Sequence, residues 1–184
     1  WGHNVWSRAV ARAPACAVYL GDGGKLTHGY RKPMGLRGGL PERLGGFPSF
    51  NFWGPGTNIS SSRWIAHCAL HIRKTRKPTL TLIYLPHLDY NLQRVGPDDP
   101  AVARDLREVD ALCGELIADA ERDGARIIVL SEYGIMPVSR PVHINRALRE
   151  AGLIKWREER GRELLDPGAS DAFAVSDHQI AHVY

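Results

Sequence analysis

Thr79-Leu80-Thr81-Leu82-Ile83-Tyr84-Leu85 and Arg126-Ile127-Ile128-Val129-Leu130, with a long patterned stretch between them, decide the fold. Each run is short, rich in aliphatic, β-branched or aromatic residues and bounded by turn formers, the pattern of a buried strand. Between them, Asp98-Asp99-Pro100 supplies an N-cap and a first-turn proline. Val102, Leu106, Val109, Leu112, Cys113, Leu116 and Ile117 then recur at helical spacing, and Gly124 closes the helix. Strand, long helix and strand at these lengths form a βαβ unit. The class is therefore α/β, a parallel sheet covered by helices.

Upstream, Ser60-Ser61-Ser62 offers an N-cap to a second helical stretch carrying Trp64, Ile65, Cys68, Ala69 and Ile72, which Pro78 ends. Before residue 50 the chain is irregular. Gly21-Asp22-Gly23-Gly24, Gly38-Gly39 and Gly45-Gly46 alternate with Pro33, Pro41 and Pro48, the punctuation of loops. Phe47, Phe50, Phe52 and Trp53 are expected to anchor this segment on the core. Downstream, residues 148–156 read as a further helix. Ala172-Phe173-Ala174-Val175 and residues 180–184 read as a hairpin around Ser176-Asp177-His178-Gln179. Residues 1–77 are thus an irregular Gly/Pro-rich segment and helix of the same domain, and residues 78–184 the βαβ core with its site loops and C-terminal hairpin.

With 43% apolar residues and a net charge of +4, the chain is too apolar and too weakly charged to be disordered. Cys16, Cys68 and Cys113 are odd in number and far apart, which fits reduced thiols and a cytoplasmic protein better than a disulfide framework. No apolar run approaches the roughly 20 residues that span a bilayer. Basic residues gather at Arg73-Lys74-Thr75-Arg76-Lys77 and at Arg157, Arg160 and Arg162. No nucleic-acid module motif accompanies them, so a helix end and a solvated face account for them better than a nucleic-acid surface. The chain begins with Trp1, not Met, so its start says nothing about a leader segment.

Ligand sites of open α/β sheets lie beyond the carboxyl ends of the strands. The polar stretch 86–97, with His87, Asp89 and Gln93, follows the first run, and Ser131-Glu132-Tyr133-Gly134 follows the second. Neighbouring strand ends bring Asp89 and Glu132 together, and two carboxylates in one crevice repel unless a cation or a proton separates them. The plainer alternative makes Asp89 a turn cap and leaves Glu132 facing solvent.

Four segments stand in a familiar order: Asp89-Tyr90-Asn91-Leu92-Gln93-Arg94-Val95-Gly96-Pro97, Arg107-Glu108-Val109-Asp110, Ser131-Glu132-Tyr133-Gly134-Ile135, and Ile144-Asn145-Arg146-Ala147-Leu148-Arg149-Glu150-Ala151-Gly152-Leu153. Together they resemble the motifs of the nucleotide pyrophosphatase/phosphodiesterase branch of the alkaline phosphatase superfamily. The likeness covers residues 78–184 well and the earlier part loosely. It implies an alkaline-phosphatase-like three-layer sandwich with a mostly parallel sheet, incomplete here. It also implies two divalent metal ions (Zn, Mn, Mg or Ca) and a small-molecule phosphodiester or nucleotide substrate. Carried over by residue, Asp89 matches the first metal-binding Asp and Glu132 the later one. Gln93 and Tyr133 stand where the family places histidines. A carboxamide oxygen is neutral, and a phenol with a pKa near about 10 is a poor ligand at neutral pH. Three outcomes stay open: an oxygen-rich site for Mg²⁺, Mn²⁺ or Ca²⁺, recruitment of His87 from the same side of an extended chain as Asp89, or loss of a metal.

Ser176-Asp177-His178-Gln179 also resembles an Asp-His metal motif, with His182 following. Asp177, His178 and His182 are therefore ligands of second rank, with Tyr133, and a polar turn is the plainer reading. His67 and His71 share a predicted helical face without a third ligand nearby. The family likeness places the Thr or Ser nucleophile upstream of Trp1 and a last metal-binding His past Tyr184, while Ser60, Ser61 and Ser62 read as a helix cap. The implied activity is metal-dependent hydrolysis of a phosphodiester or phosphoanhydride bond. A non-catalytic scaffold of the same fold is the alternative. The 184-residue chain alone is expected to be inactive: with bis(4-nitrophenyl) phosphate and Mn²⁺, Zn²⁺ or Mg²⁺ it should release no nitrophenolate, and metal-dependent release would overturn this expectation.

Overall fold

The computed structural model describes residues 15–19, 25–29, 44–52, 56–177 and 179–184. Trp53, His178, Gly21-Asp22-Gly23-Gly24 and Gly38-Gly39 lie outside them. Helices and small two-stranded sheets make up the chain, a mixed content compatible with the α/β class. Strands β1 (Ala15–Tyr19) and β2 (Lys25–Gly29) pair with each other. Two compact units are present, one within Trp1–Val18 and Leu26–Pro137 and one within Tyr19–Lys25 and Val138–Tyr184.

The larger unit is organised by three helices, α1 (Ile59–Arg76), α2 (His87–Val95) and α3 (Pro100–Arg122). Helix α1 starts two positions earlier than a cap at Ser60 would place it. Asn58 is the cap, its side chain accepting from the Ser60 amide at 2.9 Å, and Ser61 and Ser62 are buried in the first turn. Asn58 wins because its extended backbone aims its carbonyl side chain at the orphan amides of that turn. Trp64 and Cys68 form the buried seam, with Leu44, Phe47, Ile65 and Ile72 packed against them. Phe47 meets the Trp64 ring edge-on at 5.3 Å and Phe52 at 5.5 Å, and the Trp64 indole donates to the Gly45 carbonyl. Phe50, expected to join them, is 86% exposed. Helix α3 begins where its sequence says, with Asp99 accepting from the Ala101 amide and Pro100 in the first turn. Val109 and Leu112 are its buried apolar contacts, and burying a side chain of that size stabilises by about 1.5–3 kcal/mol.

The two runs read as buried strands are not strands here. Residues 79–85 and 126–130 have no ladder partner among the described residues, and Leu82 and Leu130 are 86% and 79% exposed. A parallel strand is buried only where neighbours flank it and helices cover both faces. Among the described residues no strand flanks these segments. No helix among the described residues is long and apolar enough to cross a membrane.

In the smaller unit, helix α4 (Ile144–Glu150) is shorter than the 148–156 reading required. Gly152, at φ 78°, turns the chain out of the helix, and the Leu153 amide returns to the Leu148 carbonyl in a Schellman-type closure. Trp156 then opens an unforeseen hairpin of β3 (Trp156–Glu159) and β4 (Arg162–Leu165), turning at Arg160 and Gly161, both at positive φ. Arg149 holds Glu163 through two nitrogens at 2.5 and 3.1 Å and lies over the Trp156 ring. The C-terminal hairpin is present as β5 (Ala174–Asp177) and β6 (Ile180–Val183), antiparallel with Val175 opposite His182. Asn145 clasps β5: its amide donates to the Ala174 carbonyl at 2.8 Å, and its oxygen accepts from the Ala174 amide at 2.7 Å.

One basic residue ties α1 to α3. Arg73 donates to Asp119 at 2.7 Å and to Asp123 at 3.0 Å, so a member of the Arg73–Lys77 cluster serves a fold contact. The Arg73 hydrogen bond holds the Asp119 carboxyl below its ordinary value, with burial opposing and Arg122 assisting. A depressed carboxylate stabilises the fold above its unfolded value of 3.8, and that contribution is lost as pH falls through the folded value. Arg73→Ala should lower stability by about 1–3 kcal/mol at neutral pH, while Asp123→Ala, removing an exposed partner, should cost under about 1 kcal/mol. Urea titrations at pH 7 and below about 4 check both statements, since the Arg73→Ala deficit should shrink in acid.

Candidate functional site

The stretch after residue 85, read as a polar loop, is helix α2. Asp89 stands in its first turn and Arg94 in its last, each charge complementing the helix dipole. Gly96, at φ 86°, ends it before Pro97. Helical geometry puts Asp89 and Gln93 one turn apart on a common face. The Gln93 amide donates to Asp89 Oδ1 at 2.8 Å, and the phenol of Tyr133, arriving from a separate segment, donates to the same oxygen at 2.5 Å. Asp89, Gln93 and Tyr133, named from sequence as site residues, are therefore one hydrogen-bonded group.

Glu132 belongs to the same neighbourhood. The Tyr84 phenol is pushed above its ordinary value, first by burial and then by the charges of Asp89 and Glu132. The Tyr133 phenol is raised strongly, chiefly by its hydrogen bond to Asp89, then by burial and by the Asp89 charge. In this arrangement Tyr133 acts as a proton-bearing donor that orients Asp89. The charges of Asp89 and Glu132 both act on the Tyr84 and Tyr133 phenols, and Tyr133, next to Glu132 in the chain, bonds to Asp89. Among their oxygen donors, the negative charge comes from Asp89 and Glu132 and the neutral amide from Gln93, a set suited to a hard divalent cation.

His87 faces elsewhere. It occupies the first helical position of α2, so it does not share a side with Asp89 as an extended chain would allow. Its side chain is buried against α3, with Nε2 at 3.2 Å from Glu108 Oε2 and 3.8 Å from Asp105 Oδ1. Asn91, from the next turn of α2, donates to Asp105 Oδ2. Asp105 and Glu108 are the residues that sequence reasoning missed. The signal was present: Asp105 falls between Val102 and Val109 on the buried stripe of α3, where an acid needs a partner.

The remaining candidates lie on other elements. Asp177 and His182 are exposed on β5 and β6 and lie in the smaller unit. The register pairs Asp177 with Ile180 and His182 with Val175. His67 lies 3.5 Å from Glu115 across α1 and α3. A cleft of about 1050 Å³ opens beside the C-terminal end of α1, lined by His71, Lys74, Lys77, Glu115 and Asp119 among others, but none of Asp89, Gln93, Glu132 or Tyr133 lines it.

The family described as type I phosphodiesterase / nucleotide pyrophosphatase matches residues 2–184. A protein named as an uncharacterized pyrophosphatase/phosphodiesterase of Schizosaccharomyces pombe (strain 972) is 29% identical over 143 residues. That alignment takes in 75% of this chain and 26% of the yeast protein, so the chain spans about a quarter of the relative's length. No solved structure matches the chain.

A raised phenol keeps its proton in the folded protein to higher pH than in the unfolded chain. The Tyr133–Asp89 bond therefore stabilises the fold fully below the ordinary tyrosine value of 10.0, and the contribution is lost as pH rises from there through the higher folded value. Tyr133→Phe should remove a phenolate absorbance step lying above the ordinary tyrosine range and lower stability by about 0.5–1.5 kcal/mol at neutral pH. Tyr84 is raised as well and titrates late in both proteins, so a variant whose late absorbance change is no smaller than that of the wild type would show that Tyr133 does not make this bond.

Proposed function

The chain belongs to the type I phosphodiesterase / nucleotide pyrophosphatase family, and we propose that the protein carrying it is a metal-dependent hydrolase of phosphodiester or phosphoanhydride bonds in small molecules or nucleotides. The observation that carries this reading is the convergence of two family-motif segments on one oxygen, where Gln93 and Tyr133 both donate to Asp89 Oδ1. Asp89 and Glu132 would hold a divalent cation, with the Gln93 carboxamide as a neutral donor if its amide turns. Bound there, such an ion supplies positive charge to the phosphoryl oxygens. Tyr133 positions Asp89 and contributes no charge of its own, since its phenol keeps its proton. The Tyr84 phenol lies within reach of both carboxylate charges, which help to hold it above its ordinary value.

The attacking group is assigned to no side chain of these 184 residues. Ser61 and Ser62 are buried in the first turn of α1, where a phosphoryl group has no access. The second reading, a non-catalytic scaffold, is favoured by the same hydrogen bonds that orient Asp89. A carboxylate oxygen already receiving an amide and a phenol has less need of a cation.

Activity belongs to the whole protein and is tested there. Purified with Mn²⁺, Mg²⁺ or Zn²⁺, it should hydrolyse bis(4-nitrophenyl) phosphate or a nucleotide pyrophosphate. Tyr133→Phe should reduce kcat/KM by roughly 10- to 100-fold, as loss of an orienting contact does, and Asp89→Asn by more. Metal-independent binding of a ligand by a folded protein with no turnover would favour the scaffold instead.

A further inference from the structure

Helices α2 and α3 meet at three groups apart from the Asp89, Gln93, Glu132 and Tyr133 group that carries the hydrolase reading. His87, Asp105 and Glu108 offer one ligand atom each, all within 4.8 Å of one another. His87 and Asp105 are buried, with side chains 4% and 3% exposed, while Glu108 sits on the rim at 39%. We propose that these residues form a binding site for one transition-metal divalent cation, of the Zn²⁺ or Mn²⁺ class, that clips α2 to α3.

Direction is the first argument. His87 Nδ1 and Nε2 are both buried without a hydrogen-bond partner. Glu108 Oε2 is 3.2 Å from Nε2, a distance at which a well-aimed N–H would bond, so the contact fails on angle. An oxygen beside the ring nitrogen's axis and not on it is what two ligands of a common ion show, because each lone pair points at the ion and not at its neighbour. Metal bonds of about 2.0–2.2 Å to nitrogen and oxygen place neighbouring ligand atoms roughly 3–3.6 Å apart. Of the two contacts of His87 Nε2, the one at 3.2 Å lies inside that range and the one at 3.8 Å just above it.

Charge is the second. A neutral imidazole leaves the buried Asp105 charge with only the Asn91 amide and the exposed Arg104 beside it, and an imidazolium balances only one of the two carboxylates. A divalent cation balances both Asp105 and Glu108 and takes the neutral ring as its nitrogen ligand. Arg104 does not replace it: its guanidinium is 3.5 Å from Asp105 Oδ1 but its side chain is 65% exposed. Asn91 holds the other oxygen of Asp105, leaving Oδ1 turned toward His87, the outer contact that metal-bound carboxylates commonly have. The imidazole donor selects transition metals over Mg²⁺ or Ca²⁺.

Equilibrium dialysis of the 184-residue chain against Zn²⁺, with Co²⁺ absorbance as a second readout, tests the site. Wild-type chain should retain one ion that Glu108→Gln binds roughly 10- to 100-fold more weakly. Glu108 is chosen because its rim position lets the variant fold, which far-ultraviolet circular dichroism confirms; His87→Gln should behave alike. Asp89→Asn should keep this ion. No uptake by wild type, or equal uptake by wild type and Glu108→Gln, overturns the inference. Uptake abolished by Asp89→Asn and spared by Glu108→Gln overturns it too, while leaving the hydrolase reading standing.

Discussion

Two residues of α2 stand two positions apart, which on a 3.6-residue turn separates their side chains by roughly 200°. His87 therefore reaches back to α3 while Asp89 reaches out to Tyr133. Much of the larger unit depends on this short helix having both contacts at once. The buried His87 ring and the Asn91–Asp105 hydrogen bond seat α2 on the long helix, which Arg73 in turn fixes to α1. The outer contact then holds Asp89 where the segment 131–134 can meet it. A lengthening of α2 by one residue ahead of Asp89 would rotate one of the two faces out of register.

Helix α3 was legible because every level of its sequence agrees: Asp99 as cap, Pro100 in the first turn, Val109 and Leu112 on the stripe and a glycine past the end. The C-terminal hairpin was legible for a similar reason, since alternating residues flank a polar turn. The pairing of Asp89 with the segment after residue 130 came from motif order and strand-end logic, and the Tyr133–Asp89 hydrogen bond fits it.

What was not legible depends on partners that a local pattern does not contain. Residues 79–85 and 126–130 carry the composition of buried strands, yet composition does not provide the flanking strands that would bury them. The polar stretch after residue 85 looked like a loop because its apolar content is low. It is helical because Asp89 with Gln93, and Asn91 with Arg94, bridge successive turns of one face or another. Gln93 and Tyr133 looked like lost metal ligands when compared with histidines. In three dimensions they are the two donors that orient a carboxylate, a role visible only once the two segments touch. Asp105 was hidden by its neighbour Leu106, which satisfies helical spacing in the sequence but is 53% exposed.

The clasp of Asn145 on Ala174 has a consequence for the molecule's outer boundary. A side-chain amide has the same donor and acceptor as a peptide group, so Asn145 occupies the place that one residue of another strand would take beside β5. At that point the hairpin cannot be extended by a foreign peptide. Arg149, one turn along the same helix, meanwhile keeps the neighbouring hairpin's Glu163 in a fixed ion pair. The short helix α4 thus works as a stopper, closing one edge to strand addition by imitating the strand it excludes.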